Sequence, residues 1–74
     1  MNITGKISGI NGPVIYLSGN LGFKMGEMVL VGNDHLVGEV IALTKLKTTI
    51  QVYEETTGLK PGQEVISTGA AISV

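Results

Sequence analysis

Glu54 and Glu55 are the only two carboxylates that stand next to each other in this chain. Paired carboxylates can perform acid–base catalysis when their side chains converge across a cleft. Neighbours on an extended strand point to opposite faces, so adjacent residues do not converge in this way. We therefore interpret the pair as a solvated strand end, with Thr56 and Thr57 beginning the loop that follows.

The other reactive side chains are isolated. His35 is the only histidine, and the preceding Gly32-Asn33-Asp34 predicts that it lies in a turn or at a strand start. A single imidazole cannot share a metal ion with another, and the absence of cysteine excludes thiolate ligands and disulfides. The hydroxyl residues have no histidine neighbour in sequence except distantly, and an isolated hydroxyl is not a nucleophile. The sequence predicts no catalytic residue and no metal site.

A nucleotide-binding loop of the form G-x-x-x-x-G-K-[S/T] is absent from the sequence. The glycine-rich segment Gly9-Ile10-Asn11-Gly12 is followed by Pro13, which has no amide to offer an anion. We interpret this segment as a turn. The sequence therefore predicts that the chain is not an enzyme, and that it binds no cofactor and no small-molecule ligand.

Charge and aromatic content argue against a nucleic-acid surface. The formal net charge is −1, the basic residues are five lysines without an arginine, and the only aromatic residues are Tyr16, Phe23 and Tyr53. Small barrels that bind nucleic acids usually combine a basic groove with exposed aromatic rings. A stand-alone barrel that binds nucleic acid is kept as the alternative function.

The positions of glycine and proline along the chain indicate the fold class. Eleven glycines and two prolines separate short segments rich in Val, Ile, Thr and Tyr, and no segment has the length and period of a helix. Six short strands are typical of a small barrel or sandwich. We predict an all-β fold in a single domain, with strands at 3–10, 14–17, 27–31, 36–43, 48–53 and 64–68.

The two halves of the chain resemble each other, and the alternative to a repeat is chance similarity among the glycine-rich loops of a short chain. The segment Gly22-Phe23-Lys24-Met25-Gly26-Glu27 aligns with Gly58-Leu59-Lys60-Pro61-Gly62-Gln63, and at the same offset Val14-Ile15 falls on Ile50-Gln51. Two three-stranded halves related by a pseudo-two-fold axis would close into a six-stranded barrel without exposed edges. The polar connections at 18–26 and 54–62 would then be surface loops.

Strand alternation predicts which side chains face a partner. The predicted core consists of Ile7, Val14, Tyr16, Val29, Val40, Ile50, Val52 and Val65. With these residues inward, four apolar residues of the first half point outward where the second half has two polar ones. We expect this candidate partner face to consist of Ile15, Leu17, Met28 and Leu30. The alternative is that barrel curvature, or a folded-back loop containing Leu21 and Phe23, covers these side chains.

One longer segment carries a family resemblance. Gln51-Val52-Tyr53-Glu54-Glu55-Thr56-Thr57-Gly58-Leu59-Lys60-Pro61-Gly62 resembles a signature segment of the catalytic A subunit of archaeal-type and vacuolar-type rotary ATPases. Supporting segments occur in order along the chain: Gly5-Lys6-Ile7, Gly12-Pro13-Val14-Ile15, Val31-Gly32, Leu36-Val37-Gly38-Glu39-Val40-Ile41 and Ser67-Thr68-Gly69-Ala70. The chain departs from the family pattern at Ala42, where a basic residue is usual, and at Thr44-Lys45-Leu46-Lys47.

The resemblance implies a structural role. In that family such a barrel is the N-terminal domain of a much longer subunit, whose nucleotide-binding domain comes later. It implies a crown in which barrels of A and B subunits alternate and hold together a hexamer that couples ATP hydrolysis or synthesis to proton or sodium transport. The implied partners are neighbouring A and B subunits, with weak self-association of the isolated chain and no contact with nucleic acid or membrane. The implied location is the cytoplasm, in a complex peripheral to the membrane.

Overall fold

Six strands account for the regular structure of the chain. The computed structural model describes residues 3–19 and 21–71, and these ranges contain strands and turns but no helix. The strands are β1 (Thr4–Asn11), β2 (Val14–Ser18), β3 (Glu27–Val31), β4 (Leu36–Leu43), β5 (Lys47–Val52) and β6 (Glu64–Ala71). The predicted strands are confirmed, and their ends differ from the observed ones by at most a few residues.

The sheet closes on itself. Its strand order is β1-β2-β5-β4-β3-β6, and β6 pairs with β1 to complete the barrel. All six pairings are antiparallel. The predicted six-stranded closed barrel is therefore confirmed. Exchanging β1, β2 and β3 for β4, β5 and β6 leaves every strand with equivalent neighbours, which is compatible with the pseudo-two-fold repeat; the repeat itself stays a prediction.

The barrel interior is filled by apolar side chains from all six strands and one loop. The buried apolar residues are Ile7, Ile15, Leu17, Phe23, Val29, Val31, Val40, Ile50, Val52 and Val65. Six of the eight predicted core residues are thus confirmed. The prediction is wrong for Val14 and Tyr16, which are only half-buried, while Ile15 and Leu17, predicted to face outward, have no exposed surface.

Strand register explains this error. Ile7 of β1 pairs with Leu17 of β2, and the pairing becomes irregular directly after Ile7. In the same way, Val40 of β4 pairs with Ile50 of β5, and the pairing becomes irregular directly after Val40. Leu17 is therefore the counterpart of Ile50, whereas the sequence alignment had placed Val14 there. The connection from Leu17 to Val29 is three residues shorter than that from Ile50 to Val65. A displacement by an odd number of residues moves every side chain of a strand to the opposite face.

The two long loops close the ends of the barrel. Phe23, in the loop between β2 and β3, belongs to the buried core, and Leu59, in the loop between β5 and β6, packs against it. Gly32 gives Leu59 its room, because a Cβ atom there would lie 2.9 Å from the Gln63 side-chain oxygen and even closer to Leu59. The Gly32 φ of +74° also favours glycine.

The connections of the barrel are divided between its two ends. The loop 19–26, the β4–β5 connection and the last residues of β6 lie at one end, which we call the exit end because β6 leads out of the barrel there. At this end the Gly19 N–H donates to the Leu46 carbonyl at 2.8 Å. The turns after β1 and β3 and the loop 53–63 lie at the opposite end, which we call the turn end.

Candidate partner face

Apolar side chains form a strip on the outside of the barrel across β4, β3 and β6. Leu30 of β3 is paired with Val37 of β4 on one side and with Ile66 of β6 on the other. Directly paired residues of antiparallel strands present their side chains on the same face. All three are half-buried, as is Met28, the next outward residue of β3. We call Met28, Leu30, Val37 and Ile66 the outer strip.

The outer strip contains half of the predicted partner face. Met28 and Leu30 lie on it, whereas Ile15 and Leu17 lie in the core, because β2 has the register described above. The sequence prediction is wrong for these two residues. Ile66 could have been added from the repeat, since it is the counterpart of Leu30. Val37 could not, because its place beside Leu30 depends on the pairing of β3 with β4.

The outer surface of β2 and β5 is covered by polar groups. Tyr16 points outward on β2, opposite Thr49 of β5. The Lys47 ammonium nitrogen lies 4.6 Å from the centre of the Tyr16 ring, a cation–π contact. Val14, the next outward residue of β2, pairs with the exposed Gln51. This side of the barrel therefore offers less apolar surface to a partner than the outer strip does.

Residues of the segment 51–62, which carries the family resemblance, form hydrogen bonds at the turn end. The Glu54 carboxylate accepts a hydrogen bond of 2.8 Å from the Val37 N–H, and the Glu55 carboxylate accepts one of the same length from the Thr57 hydroxyl. The Thr56 hydroxyl donates to the Gly12 carbonyl at 3.0 Å. The two carboxylates thus have separate structural partners just after β5, and they do not form the converging pair that acid–base catalysis needs.

A hydrogen bond from the Tyr53 hydroxyl to the Glu39 carboxylate raises the pKa of Tyr53 above its ordinary value of 10.0. In a Tyr16→Phe background, which leaves Tyr53 as the single tyrosine, Glu39→Gln should therefore lower the pKa of Tyr53 towards that value. Ultraviolet titration of the phenol measures it, with Glu64→Gln as the control, because this change removes a carboxylate from β6, a strand that does not pair with β5. An unchanged titration in Glu39→Gln would show that this hydrogen bond is absent in solution.

Glu27 is a buried carboxylate at the exit end. It is only 5% exposed, and it accepts hydrogen bonds from the Lys24 N–H at 2.8 Å, the Gly69 N–H at 3.1 Å and the Ser67 hydroxyl. The pairing of β3 with β6 is irregular between Glu27 and Val29. The carboxylate therefore supplies hydrogen-bond acceptors where the backbone pairing of β3 with β6 is interrupted. A buried carboxylate is tolerated in a fold when it is hydrogen-bonded in this way.

In the sequence alignment of the two halves, Glu27 has a neutral counterpart, Gln63, at the turn end. Gln63 accepts a hydrogen bond from the Lys60 N–H at 3.4 Å, which matches the bond from Lys24 to Glu27 but is longer. The two G-x-K-x-G loops thus use the same side-chain-to-backbone contact. Only the loop at the exit end uses a carboxylate, and only this carboxylate also reaches β6.

No cluster in the described ranges indicates metal or phosphate chemistry. A cavity of about 290 Å³ lies beside Glu27, between the loop 19–26 and the end of β6. The Glu27 carboxylate is already hydrogen-bonded to three donors. No group of three His, Asp or Glu side chains comes together among the residues described. The interpretation of the segment 9–12 as a turn is wrong for residues 9–11, which belong to β1. His35 lies exposed in the turn before β4, with a φ of +53°. No helix in these ranges could cross a bilayer.

Comparison with known proteins identifies the barrel. The model of the "ATP synthase alpha/beta family, beta-barrel domain" matches residues 7–69. The chain belongs to this family. Its relatives include the A subunit of the A-type ATP synthase of Methanococcus vannielii, which is 53% identical over 72 residues, or 97% of this chain and 12% of the relative.

Two further ATP synthase relatives agree. The "V-type ATP synthase alpha chain 2" of Clostridium tetani is 53% identical over 99% of this chain and 12% of its own length. The A subunit of the A-type ATP synthase of Methanosarcina barkeri is 50% identical over 100% of this chain and 13% of its own length. The resemblance to the A subunit of A-type and V-type ATP synthases is confirmed. The chain spans only about an eighth of the length of these ATP synthase subunits.

Proposed function

We propose that this chain is a non-catalytic assembly domain of a rotary ATPase A subunit. In this role it is the N-terminal barrel of a longer subunit, in the cytoplasm and peripheral to the membrane. Barrels of A and B subunits lie side by side in a crown, and their contacts hold the hexamer together while other domains use or make ATP. Membership of the ATP synthase beta-barrel family supports this assignment.

The outer strip is the observation that carries the proposal. The outside of the closed barrel carries half-buried apolar side chains side by side, those of Met28, Leu30, Val37 and Ile66. Such a face is suited to contact with a neighbouring barrel, because the centres of protein interfaces are apolar and poor in charge. Glu39, opposite Met28, adds a carboxylate at the border of the strip, where interfaces are usually polar.

The test is assembly of a grafted protein. The chain replaces its counterpart in the A subunit of the Methanococcus vannielii ATP synthase, and the graft is mixed with B subunits of that organism. We expect Leu30→Gln to lower the equilibrium constant for hexamer assembly at least about tenfold, because losing one well-packed apolar contact costs roughly 1.4 kcal/mol or more. Mass photometry measures the hexamer, and circular dichroism checks that the graft is folded.

Asn33→Gln is the matched control, because Asn33 is exposed in the turn between β3 and β4, at the turn end, and does not lie on the wall of the barrel. The control should assemble as the unmodified graft does. Equal assembly of a folded Leu30→Gln graft would contradict the role of the outer strip. A graft that never enters a hexamer, even unmodified, would contradict the assembly function itself.

A further inference from the structure

An exposed tyrosine directly after β5 extends the outer strip. The Tyr53 N–H donates to the Val37 carbonyl at 2.9 Å, which continues the pairing of β5 with β4. Tyr53 therefore lies beside Val37 on the outside of the barrel. Its hydroxyl is bonded to the Glu39 carboxylate, so the ring is held towards β4, although 52% of the residue remains exposed. The apolar row of Leu30 and Val37 thus ends in an aromatic ring next to a carboxylate.

We propose that Tyr53 and Glu39 form a recognition site for a cationic side chain of the neighbouring barrel. This inference rests on the proposed function, in which barrels of different subunits lie side by side. A cation is attracted by the face of an aromatic ring, and it forms a charge-assisted hydrogen bond with a carboxylate. Because the two groups lie side by side here, one cation can contact both. An arginine fits best, since its planar guanidinium stacks on a ring and binds a carboxylate through two N–H groups.

The carboxylates at this border of the strip have no cation of their own. The strands that carry the strip, β3, β4 and β6, contain no lysine. Glu39 is bonded to the Tyr53 hydroxyl and Glu54 to the Val37 N–H, and within the described ranges neither carboxylate forms an ion pair. A carboxylate has about four acceptor sites, so both keep capacity for a further donor.

The opposite border of the strip differs in charge. On β6 the exposed Glu64 lies opposite Lys6 of β1, so opposite charges are side by side there. Glu39, in contrast, lies opposite Gln51 of β5 and Met28 of β3, which carry no charge. The carboxylate without a compensating charge is therefore the one next to the exposed tyrosine.

Charge also selects the partner. Two copies of this chain that met strip to strip would each bring Glu39 and Glu54 to the contact, and like charges across an interface are strongly unfavourable. A second copy also has no arginine to offer, because the chain contains none. The fitting occupant is a barrel of different sequence with a basic side chain opposite Tyr53. Tyrosine and arginine are also residues that often carry much of the binding energy of an interface.

Assembly of the graft described above tests this site. Glu39→Gln keeps an acceptor for the Tyr53 hydroxyl but removes the charge, and we expect it to lower the equilibrium constant for hexamer assembly at least about tenfold. Raising NaCl from about 0.05 M to about 0.5 M should weaken assembly of the unmodified graft more than that of the variant, because salt screens charges near the surface. Mass photometry measures both effects.

Two substitutions of Tyr53 separate the ring from the hydroxyl. Tyr53→Phe keeps the aromatic face and should lower the assembly constant by less than about threefold, whereas Tyr53→Leu removes this face and should lower it at least about fivefold. Glu55→Gln is the matched control, because it removes an equal charge from a carboxylate bonded to Thr57 at the turn end. It should assemble and respond to salt as the unmodified graft does. Circular dichroism checks folding, and if Tyr53→Leu does not fold, Glu39→Gln decides.

A folded Glu39→Gln graft that assembles as well as the unmodified graft, with the same response to salt, would overturn the inference. Self-association of the isolated chain that is abolished by Tyr53→Leu would overturn it as well, because the occupant would then be a second copy. The proposed function fails separately. A graft that forms no hexamer even when unmodified contradicts the assembly role and this inference together, whereas a hexamer insensitive to both variants contradicts the inference alone.

Discussion

Ile15→Ala should lower the free energy of unfolding of the chain by about 2–5 kcal/mol, whereas Val14→Ala should lower it by less than about 1 kcal/mol. The reason is that Ile15 has no exposed surface and lies in the core, while Val14, its neighbour on β2, is half-buried on the outside. Urea denaturation followed by circular dichroism measures both values. This loss would be a large share of the stability of so small a domain.

The pair of variants tests the register of β2 directly. Losses of equal size would show that β2 has no preferred inward face, and a larger loss for Val14→Ala would reverse the register. For the same reason, Ile15→Gln should unfold the chain, because it places an amide group in the apolar interior. Met28→Glu alone should leave the barrel folded, since Met28 lies on the outer strip and Glu64 is its counterpart in the second half.

Glu27→Ala should destabilise the chain by about 3–5 kcal/mol, because it leaves the donors from Lys24, Ser67 and Gly69 without their acceptor in a buried place. Gln63→Ala removes the equivalent side chain at the turn end. It should cost only about 1 kcal/mol, since Gln63 accepts a single long hydrogen bond from a backbone amide. Urea denaturation again gives the two values.

A double-mutant cycle makes the Glu27 experiment specific. If Glu27 and Ser67 act through their mutual hydrogen bond, Glu27→Ala and Ser67→Ala should be non-additive by about 0.5–3 kcal/mol. Glu27→Gln should fall between the wild-type chain and Glu27→Ala, because it keeps one acceptor oxygen. Additive losses would indicate that the two side chains stabilise the barrel independently and that the carboxylate does not fasten β6.

The residues of the turns made the strand ends predictable. Which face of β2 points into the core could not be predicted, because its residues do not alternate between apolar and polar. Glu27–Val31 and Leu36–Leu43 were predicted with their observed ends, because Gly26 and the segment 32–35 interrupt the chain at defined points. β2, in contrast, reads Val-Ile-Tyr-Leu, with apolar residues on both faces. Periodicity cannot select the inward side of such a strand. Only the pairing with β1 and β5 does.

The candidate site was predicted in part for a similar reason. Met28 and Leu30 alternate with buried residues on β3, so their outward direction follows from the sequence once Val29 is placed in the core. The role of Glu27 could not be foreseen. Its acceptors are used by backbone and side-chain donors about forty residues away along the chain, and such convergence depends on the closed barrel.

Closure of the sheet also restricts the way in which barrels can recognise one another. Each strand has a partner on both sides, so no strand in the described ranges offers an unpaired row of backbone groups to a neighbour. A neighbouring barrel cannot be added by main-chain hydrogen bonding, which would accept almost any sequence. In the proposed assembly side chains therefore carry the recognition, and a few substitutions on the outer strip would be enough to make one type of barrel prefer another over a copy of itself.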